Sequence, residues 1–131
     1  MRRAFLMGLL LLTGACAVIS PPPAGQRFVV FFQPGQFTLG DDALPVVQAA
    51  ATYSKGNTEK PVVVAGFADP NGSAVGSDKV SELRAQSVVK TLVADGVPAA
   101  VVTRRSFGAV PYTFDSQEGR RVEITIGTLG N

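Results

Sequence analysis

Two short runs dense in β-branched and aromatic residues, RFVVFFQ at 27–33 and PVVVAGF at 61–67, are each followed by a stretch with apolar residues at helical spacing. Runs of this kind form strands that bury their side chains, and apolar groups three and four residues apart share one face of a helix. The first helical stretch has Leu44, Val47 and Ala51 in phase, with Pro45 in its first turn, Asp41 or Asp42 as the cap and Gly56 as the stop. A turn-rich loop at 69–76 leads to a second helix predicted over about residues 77–95, where Ala85, Val88, Val89, Leu92 and Val93 gather on one face and Gly96 ends it. Residues 98–102 suit one more turn of helix. Strands near 102–107 and 120–126 follow, the last alternating at Val122, Ile124 and Ile126. Strands that alternate with helices predict an α/β two-layer sandwich, with about four strands in a mixed sheet and two main helices on one face.

Ahead of this domain, Arg2 and Arg3 precede an apolar run at 4–12 and the small residues Gly14 and Ala15 before Cys16. That is the plan of a secretion signal. Its apolar part is far short of the ~20 residues a spanning helix requires. The segment Leu12-Thr13-Gly14-Ala15-Cys16 resembles a bacterial lipobox, which implies cleavage after residue 15 and a diacylglycerol on the Cys16 thiol. Cys16 is the one cysteine of the chain, so no internal disulfide can use it, and a free exported thiol would be reactive. Ala17, next in line, fits export to the outer membrane in lipoproteins of similar sequence. Residues 16–26 contain Pro21-Pro22-Pro23 and read as an extended tether. Ten such residues reach at most about 33 to 36 Å.

Composition narrows the function classes. The 12 basic residues include Arg2 and Arg3, so the chain after the signal has 12 − 2 = 10 basic against 10 acidic side chains. No basic stripe remains for a phosphate backbone, and nucleic acid is not an expected partner. The absence of histidine excludes Ser-His-Asp and Cys-His catalysis and histidine-based metal sites, and no cofactor or metal is expected. Ser87-Val88-Val89-Lys90 matches a Ser-x-x-Lys pattern, but the companion Ser-Asp-Asn and Lys-Thr-Gly motifs are missing. An enzyme is therefore not expected. The remaining 131 − 15 = 116 residues suffice for one domain, placed at 27–131.

Three segments in order, Gly66-Phe67-Ala68-Asp69-Pro70-Asn71-Gly72, Val80-Ser81-Glu82-Leu83-Arg84-Ala85 and Gly119-Arg120-Arg121-Val122, carry a family resemblance. The chain resembles the OmpA-like peptidoglycan-binding domains, which include the peptidoglycan-associated lipoproteins, from about residue 27 to residue 126. Their segments typically read Gly-His-Thr-Asp-x-x-Gly, Leu-Ser-x-x-Arg-Ala and Asn-Arg-Arg-Val. Phe67, Ala68, Ser77 and Gly119 depart from that pattern, and so does Gln33, where an Asp is common.

The resemblance implies that Asp69 and Arg84, with Ser77 and Arg121, bind the diaminopimelate of a peptidoglycan stem peptide. Asp69 would take the ammonium and Arg84 the carboxylate, and backbone N–H groups near Ser77, Asp78 and Lys79 would add donors at the helix start. The residues alone also permit Asp69 and Arg84 to pair with each other, and Arg120 and Arg121 to be solvated. The implied protein is an outer-membrane lipoprotein whose domain faces the periplasm and tethers membrane to wall. A divergent domain acting as an adaptor for other envelope proteins is the alternative.

Overall fold

The computed structural model describes residues 25–71 and 73–129. The signal, Cys16 and the tether up to Ala24 lie outside the described residues. The elements are β1 (Gln26–Phe31), α1 (Leu44–Lys55), β2 (Val62–Ala68), α2 (Ala74–Ala94), β3 (Val102–Ala109) and β4 (Arg121–Ile126). Short 3-10 turns at Ala99–Val101 and Ser116–Gly119 introduce the last two strands. The sheet has the order β1-β4-β2-β3 and is mixed: β4 runs antiparallel to β1 and β2, whereas β2 and β3 are parallel across α2. Among the described residues no helix is long and apolar enough to cross a membrane.

Strand alternation builds the core. Val62 and Val64 of β2 and Val122, Ile124 and Ile126 of β4 point to one face, where they meet Val47 and Ala51 of α1 and Ala85, Val88 and Leu92 of α2. Both helices cover that face, as the α/β sandwich requires. Among the described residues nothing covers the other face, which is why residues 27–33 do not form a strand buried on both sides. Strand β1 is a sheet edge that adds one more bond, Phe32 N–H to Arg120 O, beyond its last residue Phe31, with Val30 and Phe32 buried and Phe31 exposed between them. Gln26, assigned above to the tether, already pairs with Ile126.

The helix ends differ from expectation for local reasons. Neither Asp41 nor Asp42 caps α1; Ala43 holds the N-cap position, and its N–H and that of Leu44 donate to Gly40 O in a turn. Helix α2 starts at Ala74, three residues before Ser77, because the Ser73 side chain accepts the Gly76 N–H as an N-cap. Val93 turns to solvent instead of joining the apolar face.

Gly66 sets how closely α2 approaches the sheet. A Cβ at this position would lie 2.1 Å from Ser81 O and 3.0 Å from the Ala85 Cβ. Only a residue without a side chain lets the helix settle there, and this contact brings Arg84 to the end of β2. Gly25, packed on the carbonyls of Ile126 and Thr128, marks one end of the sheet. The ends of β1 and β2 and the start of β4 define the other, about 20 Å away for strands of this length.

Candidate functional site

A cleft of about 490 Å³ opens at that second end, between the loop after β1 (Pro34, Gly35), the residues after β2 (Asp69, Asn71), the first turns of α2, and Ser116 and Arg120. Asp69 leaves β2 and folds into a turn in which its Oδ1 accepts the Asn71 N–H at 3.2 Å. Its Oδ2 lies 3.5 Å from Arg120 Nη1. Ser77, almost fully buried, donates its hydroxyl to Asp69 O. Asp69, Arg84 and Ser77 thus meet in one cleft.

Arg84 is 1% exposed, an unusual setting for a guanidinium. Backbone carbonyls make the burial tolerable: Nε donates to Gln36 O at 2.8 Å, Nη1 to Phe67 O at 3.1 Å and Nη2 to Gln33 O at 3.4 Å. The Phe32 ring lies 5.4 Å from its Cζ. Burial lowers the Arg84 pKa from its ordinary value, the Asp69 carboxylate opposes that shift, and the Arg120 cation adds to it. A guanidinium has five N–H bonds and stays charged in proteins, so two of Arg84's remain beyond these three contacts. No direct ion pair joins Asp69 to Arg84; Asp69 is paired with Arg120 instead.

Arg121 does not line the cleft. It projects to the open face, where its guanidinium stacks 4.1 Å from the Phe67 ring, pairs with Glu123 and donates to Glu118 O. Arg120 takes the cleft position, with Nε on Phe32 O and Nη1 on Ser116 Oγ at 2.8 Å. The signal for this was present in the sequence. Successive strand residues face opposite ways, so Arg120 shares the parity of Val122, Ile124 and Ile126, and Arg121 does not. The carbonyls of Gln33 and Gln36 had no signal, because a backbone acceptor leaves none in the side-chain pattern. The expected donors at Ser77, Asp78 and Lys79 lie within α2, and the Ser77 N–H is already held by Ser73 O.

The wall of the cleft that carries Ser116 is held by Glu118. Its carboxylate accepts the backbone N–H groups of Thr113, Phe114 and Asp115 at 3.1, 2.9 and 3.2 Å. The Thr113 and Phe114 bonds, followed by Asp115 and the Arg121 charge, lower its pKa below the ordinary 4.5, although burial acts the other way. A carboxyl depressed on folding contributes its stabilisation above the unfolded pKa and loses it as pH falls through the folded value. Amide exchange at Thr113 and Phe114 is therefore expected to be slow above pH 4.5 and, once corrected for intrinsic rates, to gain relative to core amides under stronger acid.

The OmpA family model matches residues 31–124 of this sequence. The chain belongs to the OmpA family. It is 36% identical over 109 residues to outer membrane protein A of Shigella flexneri, a match that covers 72% of this chain and 30% of that protein. The chain spans under half the length of the curated relatives it matches. Among solved structures it is similar to the OmpA-like domain of FopA1 from Francisella tularensis, with TM-score 0.74, 19% identity and coverage of 86% of this chain and 79% of that one. The peptidoglycan-associated lipoprotein of Burkholderia pseudomallei superposes with TM-score 0.70 at 21% identity, over 76% of this chain and 89% of that one. These likenesses agree with the mixed four-stranded sheet and its two helices.

Within this OmpA-family chain, the departures from the usual motif have visible settings. Phe67 lies on the open face, stacked 5.1 Å from Phe107, and Ala68 is buried. Gly119 is pressed on Asp69: a Cβ there would sit 2.8 Å from Asp69 Cα, so this chain has drawn its second 3-10 turn in against the carboxylate-bearing residue. Ser87, the serine of the Ser-x-x-Lys pattern, spends its hydroxyl on the carbonyls of Phe37 and Leu83.

Proposed function

We propose that the cleft binds the free end of diaminopimelate in a peptidoglycan stem peptide, and that the protein is an outer-membrane lipoprotein tying the membrane to the wall. The observation that carries this reading is that Asp69 and Arg84 line one cleft, Arg84 from its buried wall, without pairing to each other. A ligand centre with an ammonium beside a carboxylate complements the set: the ammonium meets Asp69, and the carboxylate meets the spare N–H groups of Arg84. Arg120 makes the cleft net cationic and takes the place first given to Arg121. Charge-assisted hydrogen bonds contribute roughly 1.5–3 kcal/mol each, so two or three leave modest affinity after the costs of association. Modest affinity suits a domain tethered by a lipid on Cys16 next to a polymer of repeated sites, where effective concentration does the rest. In this reading the domain faces the periplasm and is a binder, not an enzyme.

The test is co-sedimentation of residues 25–131 with insoluble peptidoglycan sacculi. Wild type is expected in the pellet and Asp69→Asn, which removes the charge and keeps the shape, in the supernatant. Wild type left in the supernatant would overturn the wall reading. It would favour the adaptor, for which the open sheet face with exposed Phe31 and Phe107 is the specific supporting feature.

A further inference from the structure

Among the described residues most exposed large apolar side chains are only partly so, at 41% to 53% of their surface. Two stand apart: Phe114 at 92% and Val75 at 80%. Both lie close in the chain to residues that line the cleft. Phe114 is two residues from Ser116, and Val75 directly precedes Gly76 and Ser77, all of which line it. Phe114 is also held in place, since its N–H and those of its two neighbours are fixed by the Glu118 carboxylate. Ser116 joins the same loop to Arg120, and Arg120 to Asp69. A phenyl ring kept in water on a pinned backbone makes no use of its apolar surface within the fold. Its backbone also gives up little further freedom on meeting a ligand.

We propose that Phe114 and Val75 form an apolar lip to the cleft that receives the glycan of the wall polymer, a hexosamine ring lying with its C–H face on Phe114. The proposal rests on the cleft binding the stem peptide. Reach supports it. An extended stem from the diamino acid back to its sugar is three residues, about 10 Å. Phe114 stands two residues, at most about 7 Å of chain, from the cleft wall, with its own side chain extending outward. Stem in the cleft and ring on the lip are thus compatible with one ligand. Aromatic stacking tolerates any sugar that offers such a face, whereas the charged cleft recognises the peptide.

Titration of residues 25–131 with two soluble probes tests this: a diaminopimelate-containing stem tripeptide without sugar, and the same stem on its disaccharide. The disaccharide form is expected to bind roughly three- to tenfold more tightly, the size of one aromatic contact. Phe114→Ala should bring it down to the level of the bare stem and leave the bare stem unchanged, while Phe114→Tyr keeps the difference. Asp69→Asn should remove binding of both probes. Equal affinity of wild type for the two probes, or equal weakening of both by Phe114→Ala, overturns the lip and leaves the cleft standing. Failure of both probes to bind wild type overturns cleft and lip together.

Discussion

Arg84→Ala is expected to lower the unfolding free energy by about 3 kcal/mol, a large fraction of the stability of a domain this size. The substitution removes a buried guanidinium that holds three carbonyls from separate parts of the chain: Gln33 and Gln36 in the loop after β1, and Phe67 near the end of β2. With the donor gone, Phe67 O loses its side-chain partner and the loop keeps only the Ser87 hydroxyl on Phe37 O as a hydrogen-bonded tie to α2. Urea denaturation followed by circular dichroism measures the change. Arg84→Lys should recover only part of it, because one ammonium cannot reach three acceptors that a planar fork spans. Arg84→Met, which fills the volume without donors, should stay near the alanine value; if it matched wild type, packing and not hydrogen bonding would be what Arg84 supplies. The same residue is proposed to bind ligand, so loss of binding in an Arg84 variant has two causes. Asp69→Asn separates them.

Gly66→Ala is the second large effect. The added methyl would stand 2.1 Å from Ser81 O, a backbone atom in the middle of α2, and 3.0 Å from the Ala85 Cβ. No side-chain rotation relieves a contact with main chain, so α2 must move off β2. Overpacking of this kind costs typically 1–3 kcal/mol, and about 3 kcal/mol is expected here because the clash is with the backbone. A thermal melt should show the loss as a Tm lower by roughly 10 °C or more. The displacement also carries Arg84 away from Phe67 O, so sacculus binding should fall in the fraction that remains folded. A wild-type melting curve for Gly66→Ala would mean that the helix and sheet are not in the contact described.

How much of this was legible in the sequence depends on which physical interaction wrote the signal. The strands at 61–67 and 120–126 and the face formed by Ala85, Val88 and Leu92 were readable because burial imposes a period on side-chain type. That Asp69, Arg84 and Ser77 meet in one cleft was readable through the ordered motifs around them. The start of α2 was not, since Ser73 is one cap among several turn residues and Gly76 argues against helix on propensity. The caps proposed at Asp41 and Asp42 failed for the converse reason: good cap residues were present, but the turn closed on Gly40 O through backbone alone. Arg120 was overlooked in favour of its neighbour although strand parity separates the two. The carbonyl partners of Arg84 had to come from the structure.

The position of Gly25 at the far end of the sheet from the cleft has a mechanical meaning on the proposed reading. Tension between a membrane anchor and the wall would enter at the start of β1 and leave through Asp69 and Arg120, at the end of β2 and the start of β4. Strands β1 and β4 are antiparallel, paired from Gln26↔Ile126 to Phe31↔Arg121. Pulling one down from its first residue while holding the other at its first residue slides them lengthwise. Every ladder bond then resists at once, across the direction in which it would open, instead of yielding one after another as in a hairpin peeled from its end. The fold would hold longest under stretch along the same axis on which its two attachments lie.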